Sequence, residues 1–288
     1  MRPAASAPTP TLFAESNDGV LIAYRVHGGD GRGEAGGSGS TSSSSGGSDG
    51  SGGDSGSSSS DADDATPPVL LVHGFASNAE VTWNGTGWLR ALGDAHRTAI
   101  TVDLRGHGES DKPIDADAYA PERLGDDLLA VLDSAGVDRA DVVGYSMGNR
   151  VVSALASLAP ERLRRVVIGG AGPSELFATW DLDDARSVLL RDESARNPVI
   201  EQVLRPAIAA GADREALLAC IEGVQGAPLS IPGDIPTLFV AGEHDPVPEG
   251  ARELALDWDA DYVSIPGRDH VSTLTARAFK DAAIAFLA

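Results

Sequence analysis

This sequence predicts an α/β architecture: a mainly parallel eight-stranded sheet with helices on both faces. Three observations carry that prediction. Short apolar runs alternate with helical patterns along most of the 288 residues, the pattern of a parallel sheet wrapped by helices. Apolar residues make up 42% of the chain, ample for a core of that size. A serine also stands between two glycines, in Gly144-Tyr145-Ser146-Met147-Gly148, where an apolar run meets a helical segment. Strand, G-x-S-x-G, helix is the pattern of a nucleophile elbow.

The elements follow in order. Residues 11–16 and 20–26 read as a hairpin turning through Asn17-Asp18-Gly19. Residues 28–66 are Gly, Ser and Asp with no large apolar side chain. Such a segment cannot bury a core and is expected to be disordered. A long loop adds little closure entropy, so it reads as a tolerated insertion. Strands are then expected at 69–72, 98–103, 141–144, 166–169, 237–241 and 261–265. Helices are expected near 87–93, 121–135, 147–158, 248–255 and 271–288. The hairpin adds an antiparallel edge. Between Gly172 and Gly233 the pattern is helical only, at 182–191, 197–209 and 214–222.

A serine hydroxyl is a weak nucleophile and needs a base, an orienting acid and donors for the developing oxyanion. Glycines 144 and 148 suit a sharp turn that leaves no room for side chains two positions from the serine. The N–H of Met147, at the helix start, faces the same site and suits a negative charge. Of six histidines only His244 and His270 follow Ser146. Each comes after an apolar run, at the strand ends where open α/β sheets bind ligands. His270 is assigned as the base and Asp245, held before a Pro-rich turn, as its acid. His244 reads as a solvated loop residue. Asp269 stays open as a second choice of acid, although a sequence neighbour rarely points at the same imidazole. His73-Gly74-Phe75 ends the 69–72 run. Gly74 permits close backbone approach, and the Phe75 N–H is the second oxyanion donor. His73 is read as holding that loop together.

These pieces resemble the α/β-hydrolase superfamily: HGF at 73–75, DLRGHGES at 103–110, GYSMG at 144–148, GEHDPVP at 242–248 and GRDH at 267–270. The resemblance implies Ser146 as nucleophile, Asp245 as acid and His270 as base. It implies an oxyanion hole from the amides of Phe75 and Met147, and structural roles for Arg105 and His107. It divides the chain into a core, 11–172 and 233–288, and a small helical cap, 173–232. Phe75, Phe177 and Trp180 are candidate substrate contacts, with Leu176, Leu189, Val203 and Leu204 as further apolar candidates. Trp83 and Trp88 are candidates for the entrance. Serine at 146 separates the chain from haloalkane dehalogenases and epoxide hydrolases, which use aspartate there. The lipase HGGG is absent, and Ala76-Ser77-Asn78 is not the Gly-rich continuation of carbon–carbon bond hydrolases. Phe75 stands where cofactor-free haloperoxidases usually carry tryptophan. The expected activity is hydrolysis of a small to medium carboxylic ester through an acyl-enzyme, without cofactor or metal. Perhydrolase or haloperoxidase action, or ligand reception without turnover, are the alternatives on the same fold.

The formal net charge of −21 weighs against nucleic acid as a partner and against anionic substrates at long range. The one cysteine, Cys220, excludes an internal disulfide and suits a reducing cytoplasm. Residues 1–6 lack the apolar stretch of a secretion signal, and no window approaches the roughly 18 apolar residues of a membrane span. A cytoplasmic protein acting on a small acyl compound is expected.

Overall fold

The computed structural model describes residues 9–28 and 66–288. The disorder expected for 28–66 and the reading of residues 1–6 therefore lie outside the described residues, apart from Gly28 and Thr66.

The eight strands are β1 (Leu12–Glu15), β2 (Leu21–His27), β3 (Val69–Val72), β4 (Ala99–Val102), β5 (Ala140–Tyr145), β6 (Leu163–Gly169), β7 (Thr237–Gly242) and β8 (Asp261–Ile265). They form one sheet in the order β1-β2-β4-β3-β5-β6-β7-β8. β1 pairs antiparallel with β2, and β2 with β4. The remaining neighbours are parallel. The central strands are buried end to end, which is why they read as unbroken apolar runs and not as alternating ones.

The two-residue period of a strand still divides the core into two layers. Leu70, Val72 and Val142 face one layer, shared with α2 (Pro121–Ser134), α3 (Gly148–Leu158) and α7 (Ala251–Asp257). Val69, Leu71 and Val143 face the other, shared with α1 (Trp88–Asp94) and α9 (Arg277–Leu287). Between β6 and β7 come α4 (Leu182–Leu190), α5 (Pro198–Ala209) and α6 (Arg214–Val224). Asp181, Asn197 and Asp213 cap their N-termini by accepting backbone N–H groups of the first turn. Val188, Ile200, Leu204, Leu217 and Ile221 fasten these helices to the first core layer.

Three expectations change. Trp83 and Trp88 do not border an entrance. Both are fully buried in the second layer, 5.5 Å apart edge-on, with Trp88 4.8 Å from Phe279. The Trp88 indole N–H donates to the Leu274 carbonyl at 3.0 Å. Large rings here gain more by filling the space between α1 and α9 than by lining a mouth. The helix expected at 271–288 is two helices, α8 (His270–Thr275) and α9, because Ala276 is extended at φ −65°, ψ 131°. The helix expected from 248 starts at Ala251, after Gly250 in a left-handed conformation at φ 79°. Among the described residues no helix is long and apolar enough to cross a membrane.

An ionic clasp ties the start of β5 to the chain around it. The fully buried Asp141 accepts from Arg97 at 2.5 Å and from Arg164 at 2.6 Å and 2.7 Å. Arg97 also donates to the carbonyls of Pro67 and Leu287, each at 2.8 Å. Removing one member of such a cluster strands a buried charge. Asp141→Ala is expected to cost about 3–5 kcal/mol, read as a lowered urea midpoint at unchanged m-value.

Candidate active site

The site is built on four loops at the C-terminal ends of the parallel strands. Ser146 follows β5 with φ 52°, a left-handed conformation that costs a serine roughly 1–3 kcal/mol. Its own N–H stays in the sheet, donating to Gly169 at 2.9 Å. A Cβ at Gly148 would stand 2.4 Å from the His73 carbonyl oxygen, and one at Gly144 2.4 Å from Asn149 Oδ1. The Asn149 amide then straps the turn, donating to the carbonyls of Ser146 and Gly169 at 3.0 Å each.

His270 and Asp245 reach this turn from β7 and β8. The two loops are stitched together: His244 N–H donates to Arg268 O at 2.8 Å, and Gly267 N–H to Glu243 Oε2 at 2.7 Å. Asp245 is held by its own turn, its Oδ1 accepting from Val247 N–H at 2.9 Å. Its side chain is fully buried, and its Oδ2 lies 2.8 Å from His270 Nδ1. His270 Nε2 lies 3.1 Å from Ser146 Oγ. With the Nδ1–H given to the carboxylate, the Nε2 lone pair faces the hydroxyl. Asp269 takes no part. Its carboxylate caps α8, accepting the Ser272 N–H at 2.8 Å and hydroxyl at 2.7 Å. His244 is exposed.

The fourth loop, after β3, carries Phe75. Gly74 lies against Ser146, where a Cβ would meet the serine Cβ at 3.0 Å. His73 is fully buried; its Nδ1–H donates to Gly74 O at 2.7 Å and its Nε2 accepts the Leu104 N–H at 3.0 Å. Ala76 is left-handed at φ 56°, and its N–H donates to His107 Nε2 at 3.1 Å. His107 in turn donates its Nδ1–H to Arg105 O at 3.0 Å. Burial, helped by neighbouring His73, pushes His107 from the usual 6.5 down to about 3. Burial lowers His73 as well. Both imidazoles are therefore neutral struts of the loop. Arg105 anchors the neighbouring loop after β4, with Asp127 at 2.5 Å and 2.6 Å and Asp18 at 2.9 Å. Those carboxylates hold its guanidinium charged, raising its pKa despite burial. Among the described residues, neither the Phe75 nor the Met147 amide donates to a backbone carbonyl.

A cavity of about 620 Å³ opens over Ser146 and His270, walled by Phe75, Leu176 and, from α5, Val203 and Pro206. Phe177 and Trp180 are not among its lining residues. Phe177 is fully buried, edge-on to Phe75 at 4.8 Å and to Trp180 at 5.0 Å. Phe177 thus backs Phe75, and Trp180 backs Phe177, in the edge-to-face geometry aromatic rings prefer. Leu189 and Leu204 are core residues.

Several residues of the site are absent from the sequence reading. Tyr145 is buried, its hydroxyl donates to the His270 carbonyl, and its ring lies 5.3 Å from the imidazole. Asn149 straps the elbow. Arg150 and Glu175 are buried near Ser146. Tyr145 and Asn149 are neighbours of the G-x-S-x-G serine, so proximity to the motif is the one signal that singles them out.

Mostly parallel sheet, helices on both faces and a Ser–His–Asp alignment on its strand-to-helix loops define a protein of the α/β hydrolase class. The chain belongs to that family: the profile described as alpha/beta hydrolase fold matches residues 67–210. Over 104 residues it is 36% identical to a 2-hydroxymuconate semialdehyde hydrolase of Pseudomonas putida, a match covering 36% of each chain. Over 145 residues it is 28% identical to a putative 2-succinyl-6-hydroxy-2,4-cyclohexadiene-1-carboxylate synthase of Bacillus subtilis, covering half of each. The chain thus spans between about a third and a half of the length of these curated relatives. Among solved structures it is similar to a hydrolase from Pseudomonas aeruginosa PA01, at 25% identity and TM-score 0.66 over 96% of this chain and 98% of that one. The enol-lactonase of Burkholderia xenovorans LB400 is similar at 25% identity and TM-score 0.65, over 96% and 99%.

The buried neutral His107 makes folding acid-sensitive. Below pH 6.5 the unfolded chain takes up a proton that the folded one refuses until about pH 3. Stability is therefore lost as pH falls through that window, by up to about 1.4 kcal/mol per pH unit for one such group. His107→Gln is expected to flatten the fall by up to that slope, measured by urea unfolding from pH 7 to 4.5.

Proposed function

We propose that the protein is a serine hydrolase that cleaves a carboxylic ester, or a related acyl compound, through an acyl-enzyme. The observation that carries this reading is the unbroken chain from Ser146 Oγ through His270 to the buried Asp245, at 3.1 Å and 2.8 Å. Ser146 Oγ attacks the acyl carbonyl carbon while its proton passes to His270 Nε2. Asp245 keeps the imidazole oriented and steadies its cationic form. The N–H groups of Phe75 and Met147 receive the oxyanion, each such donor being worth about 2.7–4 kcal/mol at the transition state. Collapse expels the alcohol, which takes its proton from His270. A water then repeats the sequence on the acyl-serine and frees the acid.

In this reading residues 11–172 and 233–288 are the catalytic core and 173–232 the cap. Phe75 touches the substrate, while Phe177 and Trp180 hold Phe75 in place. A cavity of about 620 Å³ suits a small molecule. The buried, unpaired Cys220 fits a reducing, cytoplasmic setting.

The test is labelling by a fluorophosphonate probe together with turnover of p-nitrophenyl acetate and butyrate. Wild type is expected to show both and Ser146→Ala neither. A wild type that neither labels nor turns over overturns the reading, and tight saturable ligand binding under those conditions would make it a receptor. Asp245→Asn is expected to lower kcat on the order of 10³- to 10⁴-fold by leaving the wrong imidazole tautomer, with an unchanged circular dichroism spectrum.

A further inference from the structure

Two cavities meet at Ser146, and they differ about thirtyfold in size. The large one, about 620 Å³, is also lined by His270. The small one, about 20 Å³, lies against Ser146 and Met147 and is also lined by Arg150, Ala171, Glu175 and Val247. His270 is not among the residues that line it. Leu176 borders both and forms the partition.

A carbonyl carbon bound at Ser146 has two substituents, the acyl group and the leaving alcohol. The chemistry decides which goes where. The alcohol oxygen takes its proton from His270 Nε2, so the alcohol must leave on the His270 side, in the large cavity. The acyl group is left with the small recess. A volume of about 20 Å³ holds one water-sized group, which is the size of a methyl.

The recess walls are tied in place. Arg150 donates to the Gly172 carbonyl at 2.7 Å. Glu175 accepts the Phe177 N–H at 2.5 Å, and both side chains are buried. Packed walls of this kind resist added methylenes. The large cavity has the opposite character. Val81 and Val271 line it yet are 61% and 75% exposed, so its mouth is apolar and open.

We propose that the enzyme is selective for an acetyl-sized acyl group and that its substrates are acetate esters of medium to large apolar alcohols or phenols. This rests on the serine hydrolase reading above. The acetyl carbonyl carbon bonds to Ser146 Oγ as its bond to the alcohol oxygen breaks, and His270 gives that oxygen its proton. Water then cleaves acetyl-serine to acetate and the free hydroxyl, its proton returning through His270.

Two ester series test the proposal on the full chain. Across 1-naphthyl acetate, butyrate and octanoate, kcat/KM is expected to fall about tenfold or more from acetate to butyrate, and further to octanoate. Across methyl, hexyl and 1-naphthyl acetate it is expected to rise. Leu176→Ala opens the partition and is expected to raise the butyrate-to-acetate ratio about tenfold. Val247→Ala gives the same reading if Leu176→Ala does not fold. Octanoate turned over as well as acetate by wild type overturns the proposal, as does an unchanged ratio in a folded, active variant. In those cases probe labelling and turnover persist and the serine hydrolase reading stands. Absence of both labelling and turnover removes the two together.

Discussion

The site depends on one backbone constraint, the left-handed conformation of Ser146 at φ 52°. Nothing local favours it in a serine, so the surroundings must enforce it. The β5–β6 pairing holds one side through the Ser146 N–H on Gly169. Asn149 holds the other by bonding the Ser146 and Gly169 carbonyls. The glycines at 144 and 148 leave space that any Cβ would fill at about 2.4 Å from its neighbours. With the turn held this way, the hydroxyl stands clear of the strand and α3 starts directly behind it.

Electrostatics around that turn separates support from chemistry. His73 and His107 are buried, neutral and bonded at both ring nitrogens. They shape the Phe75 loop without bringing charge beside the serine. Arg105 brings charge, but Asp127 and Asp18 absorb it within the fold. Of the three imidazoles close to the site, His270 alone has one nitrogen on a carboxylate and the other on a hydroxyl. The same residue type thus meets different partners at its ring nitrogens according to where the fold places it. Tyr145 links the two groups of residues, since its hydroxyl fixes the backbone of His270 from inside the core.

Much of the fold was legible because a parallel sheet writes itself as separated apolar runs. The six runs from 69–72 to 261–265 are strands, and the hairpin at the start is the antiparallel edge. Legibility failed where a residue's environment is set by remote chain. Trp83 and Trp88 follow the Phe75 loop closely in sequence, yet α9, almost 190 residues further on, draws them to the opposite face. Phe177 and Trp180 are apolar residues at the cap's edge, and composition cannot say whether such a ring meets substrate or another ring. The break at Ala276 is equally silent, because alanine is a good helix former and yet stands extended there.

The sequence by itself determined the chemical parts and their order: the glycine-flanked serine, the acid behind one strand and the histidine behind the next. Motif spacing carries that much because elbows and strand ends are local structures, set by a few adjacent residues. Tertiary structure alone decided the distances among those parts and the size of the spaces on either side of the serine. Those depend on how loops from β3, β5, β7 and β8 meet at one edge of the sheet. Leu176 stands between two cavities only because of where distant segments pack.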